Sequence, residues 1–117
     1  MSVLEANINL TKMQSAAGDA CRLMKVLSNR DRMMLLCQIG QGEKCVGELE
    51  DCLDIHQPTL SQQLTVLRNE ELVETRREGK QIYYSLTSNV AVAVMDVLYQ
   101  NYCSKPLLVG PMLHHLR

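Results

Sequence analysis

Apolar residues recur at Met13, Ala16, Ala17, Ala20, Leu23, Met24 and Leu27, the three-and-four spacing of one helical face, while Lys12, Asp19, Arg22 and Lys25 fall on the other. The pattern predicts an amphipathic helix over residues 12–27. Asn29 is a good N-cap for a second helix over 30–39, which Gly40 and Gly42 stop. Its Met33–Cys37 run is apolar nearly all round, so the helix is expected in the middle of the core. Cys45 and Glu48 stand in capping-box spacing, with Cys where Ser or Thr is usual, and open a third helix over 46–53. After the tight link 54–57, Pro58 suits the first position of a fourth helix over 58–69, because its missing N–H would be unpaired there anyway. Leu60, Leu64 and Leu67 face inward in that helix, leaving Thr59, Ser61, Gln62, Gln63, Thr65 and Arg68 outward. Past Leu72 the period changes to two. Residues 73–78 and 80–86 read as strands joined at Gly79, and 89–103 resumes as an apolar helix with Val90, Val94, Val97 and Leu98 on one stripe.

The fold class expected is mainly α with a β-hairpin, in one domain over 1–103 followed by a tail, 104–117, that contains Pro106, Gly110 and Pro111. Composition agrees: the 117 residues are 46% hydrophobic, with seven Met and neither Trp nor Phe, which suits packed helices better than a β-sandwich. That length holds one core, so any binding and any sensing share a single domain. No stretch approaches the apolar length of a membrane span, and the expected location is cytoplasmic.

Two short helices joined by a tight turn, then a hairpin with a basic tip, are the parts of a winged helix-turn-helix. A helix fits the major groove, and polar side chains near its N-terminal half reach base edges. The reading face therefore runs from Gln57 to Arg68, with Thr59, Ser61, Gln62 and Gln63 placed to meet bases. Arg68, and Arg76, Arg77 and Lys80 of the hairpin, are candidates for phosphate or minor-groove contacts. A formal net charge of -1 excludes a protein that coats nucleic acid through overall charge. Glu70, Glu71, Glu74 and Glu78 lie among the basic residues, so affinity has to rest on geometry and on two copies of the reader. Solubilising polar residues on an exposed face are the plain alternative; the order of elements favours DNA. No nucleophile–base pair, phosphate loop or carboxylate pair stands out, so an enzyme is not expected, nor is a cofactor.

Several segments in order resemble the ArsR/SmtB repressors: Leu27-Ser28-Asn29-Arg30-Asp31-Arg32, Val46-Gly47-Glu48-Leu49, Gln57-Pro58-Thr59-Leu60-Ser61-Gln62-Gln63-Leu64 and Gln81-Ile82-Tyr83-Tyr84-Ser85-Leu86. The resemblance spans roughly 12–103. It implies a homodimer built on the first and last helices, which holds double-stranded operator DNA until an inducer acts. The apolar stripes read above on those two helices agree with such an interface.

The five cysteines are where a signal would act. Metal sensors of the family carry a Cys-x-Cys in the third helix, or an Asp-x-His with a distant His and Glu on the last; neither spacing is present. Cys37 near the end of the second helix and Cys103 at the end of the last resemble the BigR/HlyU-like branch. That resemblance implies sensing of reactive sulfur species or oxidants through these two thiols, by a bridge of two or more sulfurs. Residue chemistry alone selects Cys45, at a helix N-terminus beside Lys44, as the most reactive thiol. Cys21 reads as packing and Cys52 as structural. Two other classes stay open: a metal- or arsenite-responsive repressor using Cys45 and Cys52 with His114 or His115, and a DNA-binding module regulated only by a partner protein. His56 reads as a phosphate neighbour or solvent-facing residue, and His114 and His115 as solvated.

Overall fold

The computed structural model describes residues 8–103. The tail expected over 104–117, with His114 and His115, lies outside the described residues.

Helix α1 spans Leu10–Leu27, two residues longer at its start than periodicity predicts. Asn9 sets that start: its side-chain oxygen accepts the Lys12 N–H at 3.1 Å. Helix α2 spans Arg30–Ile39 as expected, capped by Asn29, which accepts from the Arg32 N–H at 3.0 Å. Gly40 ends it where space is shortest. A Cβ there would lie 3.0 Å from the Leu36 carbonyl oxygen and 3.4 Å from the Leu86 side chain, so α2 closes directly on the sheet. Strand β1, Lys44–Cys45, precedes α3, Val46–Cys52, in which the Glu48 carboxylate accepts the Cys45 N–H at 2.9 Å.

Helix α4 is Thr59–Asn69, with Pro58 one position outside it as the cap residue rather than inside. The acceptor for its early N–H groups comes from Gln57, whose Oε1 takes the Ser61 N–H at 3.2 Å and the Ser61 hydroxyl at 2.6 Å. Strands β2, Val73–Glu78, and β3, Gln81–Leu86, form the hairpin, with Gly79 at φ 63° in its turn. Helix α5, Asn89–Tyr102, starts on Ser88, whose hydroxyl oxygen accepts the Ala91 N–H at 3.1 Å.

The sheet has three strands in the order β1-β3-β2, all antiparallel, with Lys44 opposite Tyr84 and Cys45 opposite Tyr83. The third strand was not expected from the sequence. In the core, Leu27, Leu35, Leu36, Ile39, Leu49, Leu60, Leu64 and Leu67 are fully buried. Each such leucine contributes about 2 kcal/mol by leaving water. The inward stripe of α4 is therefore as expected. On α2 only Leu35, Leu36 and Ile39 are buried; Met34 and Cys37 face out, so this helix is central without being enclosed.

The first and last helices touch this core over part of their length. α1 is held by Leu23, Val26 and Leu27, and α5 by Ala91, Val94 and Met95. Leu10, Met13 and Met24 of α1, and Val90, Val92, Val97, Tyr99 and Tyr102 of α5, remain exposed.

Candidate nucleic-acid interface and thiol pair

The reading helix owes its presentation to its buried leucines, which turn the opposite face outward. Thr59, Ser61, Gln62, Thr65 and Arg68 are exposed on it, and Gln57 is exposed just before it. Two of these are already engaged: Ser61 is tied to Gln57, and the Thr65 hydroxyl donates to the Ser61 carbonyl at 2.8 Å. Gln63, expected outward, is half-buried. Its Oε1 accepts from Arg32 at 3.0 Å, and the same guanidinium donates to the Val26 carbonyl at 2.8 Å.

The hairpin also divides its cations. Arg76 makes two short bonds to the Glu43 carboxylate, 2.7 and 2.8 Å, lies 3.3 Å from Glu78, and stacks over Tyr83 with its centre 4.7 Å from the ring. The guanidinium holds Glu43 below the usual carboxylate range, and Glu43 raises Arg76 further. Arg77 donates to the Gly79 carbonyl at 3.3 Å. Arg68 and Lys80 are exposed and form no ion pair among the described residues. The cations of this face without a carboxylate partner are thus Arg68, Arg77 and Lys80, whereas Arg76 is paired with Glu43 and Glu78. His56 is exposed, with its Nε2 3.0 Å from Asp54.

Cys37 and Cys103, from α2 and from the end of α5, come together. Both line a cavity of about 420 Å³ with Met34, Gly40, Met95 and Tyr99, and both line a second of about 280 Å³ with Met33, Leu98 and Tyr102. Asp96 is the one charged residue along these walls. Burial raises the Cys37 thiol above its ordinary range, and the neighbouring Cys103 raises it further. Cys103 closes α5 through its N–H, which donates to the Tyr99 carbonyl at 2.8 Å.

The other thiols sit elsewhere. Cys45, favoured on residue chemistry, is 9% exposed within β1, and the Lys44 ammonium donates to the Gly42 carbonyl at 3.2 Å. Burial closes that sulfur to reagents. Cys21, expected in packing, is exposed on α1, and Cys52 is exposed at the end of α3. Among the described residues, no three His, Cys, Asp or Glu side chains gather closely enough to hold a metal ion. No helix among them is long and apolar enough to cross a membrane.

Arg32 and Glu43 were not singled out from the sequence. Their side-chain partners, Gln63 and Arg76, lie 31 and 33 positions away, beyond any local pattern.

Known proteins resemble this chain in sequence and in fold. Residues 21–75 match the family model described as bacterial regulatory protein, arsR family. The chain is 48% identical over 97 residues to the biofilm growth-associated repressor of Agrobacterium fabrum, covering 83% of each. It is 37% identical over 98 residues to the transcriptional activator HlyU of Vibrio cholerae, covering 84% of this chain and 91% of that one. The crystal structure of the transcriptional repressor BigR from Xylella fastidiosa superposes with a TM-score of 0.78 at 45% identity, over 84% of this chain and 100% of the other. With that likeness laid over a winged helix-turn-helix whose reading helix is presented to solvent, the chain belongs to the arsR family of bacterial regulatory proteins, as a BigR/HlyU-like DNA-binding transcriptional regulator.

Proposed function

We propose that the protein is a homodimeric repressor that releases operator DNA when a sulfur bridge joins Cys37 to Cys103. The carrying observation is that these two thiols, 66 positions apart, line the same apolar cavities between α2 and α5. Dimerisation is supported by the exposed apolar side chains of α1 and α5, with Val97 at 59% and Tyr102 at 69%. A twofold pairing through α1 and α5 presents two copies of α4, which read one operator when spaced about 34 Å apart. Repression is the activity named for the Agrobacterium relative.

The chemistry is a thiol exchange. One thiolate attacks the tetrasulfide chain and keeps two of its sulfurs as a hydrotrisulfide, expelling disulfide dianion, and the second thiolate attacks the middle sulfur of that hydrotrisulfide and expels the terminal one as hydrosulfide. With inorganic tetrasulfide the balance is two thiols plus one tetrasulfide dianion, giving one trisulfide bridge, one hydrosulfide and one hydrodisulfide anion. Two electrons pass from the thiols to the sulfane chain, and both protons leave on the products. Each inserted sulfur lengthens the bridge by about 2 Å, so sulfane sulfur spans separations that a plain disulfide cannot.

The test is operator binding by fluorescence anisotropy before and after sodium tetrasulfide, hydrogen peroxide, zinc or arsenite, on a fragment selected by the protein from a random pool. Tetrasulfide is expected to release the wild type, with mass spectrometry locating the added sulfur between Cys37 and Cys103, and to leave Cys37→Ser and Cys103→Ser bound. Release by zinc or arsenite that survives both substitutions would overturn the reading.

A further inference from the structure

We propose that α2 is a lever joining the thiol pair to both DNA-reading elements, with Arg32 and Glu43 as the positioning residues at its two ends. The inference rests on the sulfur-bridge reading for its trigger, and on separate geometry for its transmission. Near the start of α2, the Arg32 guanidinium donates to the Val26 and Lys25 carbonyls of α1, at 2.8 and 3.4 Å, and to Gln63 of the reading helix at 3.0 Å. A planar fork is needed to satisfy acceptors on two elements at once, and an ammonium cannot reproduce it.

Beyond the other end, the turn after α2 is bonded back onto the helix. The Gly40 N–H donates to Leu36 at 2.8 Å, that of Gln41 to Gln38 at 3.2 Å, and that of Gly42 to Ile39 at 3.1 Å. Glu43 therefore travels with α2, and its two bonds to Arg76, at 2.7 and 2.8 Å, carry the motion into β2. Cys37 lies between these ties, five residues after Arg32, which is about 7.5 Å along the axis. It faces out while Leu35, Leu36 and Ile39 are held in the core. A tether pulling on Cys37 turns the helix about that buried face, and both ends move the elements they grip. Neither tie is made to a thiol.

The test separates transmission from sulfur chemistry by using a synthetic tether. In a Cys21→Ser/Cys52→Ser parent, dibromobimane joins Cys37 to Cys103. Two C–S bonds form and two C–Br bonds break, releasing two bromides and two protons, and the product's fluorescence reports the bridge. Operator affinity is measured with and without the tether in the parent, in Arg32→Lys, in Glu43→Gln, and in the exchange Glu43→Arg with Arg76→Glu; melting temperature monitors folding. The tether is expected to weaken the parent about 5- to 150-fold. In Arg32→Lys and Glu43→Gln that factor shrinks about 2- to 30-fold, and the exchange variant restores it. Glu43→Gln, at a solvent-exposed pair, keeps the test decisive if Arg32→Lys fails to fold. Single variants weakened by the tether as much as the parent overturn the lever and leave the sulfur reading standing. A parent indifferent to the tether overturns the bridge reading, and the lever with it.

Discussion

Replacing Gln57 separates two roles that its position before the reading helix combines. Its Oε1 accepts the Ser61 N–H at 3.2 Å and the Ser61 hydroxyl at 2.6 Å, supplying the cap that Pro58 cannot. Gln57→Ala leaves that N–H to water. Loss of a side-chain cap costs about 1 kcal/mol, which lowers the melting temperature of a domain this size by about 4–8 °C. Operator affinity falls as well, because the first turn of α4 carries Thr59, Ser61 and Gln62. Gln57→Glu keeps an acceptor and adds negative charge near a helix N-terminus, a change worth about 0.3–1 kcal/mol in favour of the fold. The same charge faces the phosphates and weakens DNA binding. Thermal unfolding by circular dichroism at fixed protein concentration, beside anisotropy titrations, reads both effects. An alanine variant that melts with the wild type would refute the capping argument. A glutamate variant that binds as tightly would show that Gln57 lies away from the DNA backbone.

The raised Cys37 thiol is expected to alkylate more slowly at neutral pH than a free thiol, and faster as pH climbs through its raised value. Cys103→Ser removes part of the elevation and moves the rate profile to lower pH; a profile that stays put contradicts the pairing. The folded state holds this proton more tightly than the unfolded chain. Its contribution to stability is therefore complete below the ordinary thiol range and disappears as pH rises through the raised value, which a urea titration series from neutral to alkaline pH reads. Ala91 is fully buried where α5 meets the core, so Ala91→Leu is expected to destabilise by about 1–3 kcal/mol, and an unchanged urea midpoint would contradict that packing. Lys80→Ala is expected to flatten the dependence of log affinity on log salt by about one unit per protomer. Arg76→Ala is expected to leave that slope nearly unchanged, because Glu43 and Glu78 already balance its charge; equal slopes for the two variants would contradict the division.

Local patterns carried the helices well. Asn29 and Gly40 bound α2 at the positions their chemistry predicts, and the leucine spacing of α4 turned its polar face outward. Strand β1 escaped because two residues have no period, and its pairing with Tyr83 and Tyr84 is nearly 40 positions away. Cys45 illustrates a different failure. Its place at a helix start beside a lysine suggested a reactive sulfur, yet reactivity also needs access, and the folded chain buries it. Gln63 and Arg76 were assigned to DNA because both are polar and on the right elements. Their engagement by Arg32 and Glu43 depends on how distant segments meet, which no window of sequence contains. The thiol pair was named from family likeness, and the apolar walls around it came from the fold.

The neutralised Arg76 bears on how such a regulator finds its target in a chromosome. With that cation occupied by two carboxylates, the chain brings few free charges to the duplex, and few counterions are set loose wherever it lands. Random sites then hold the protein weakly. A larger share of a small pool of molecules stays available to search, and occupancy of the proper site is won by fit rather than by charge.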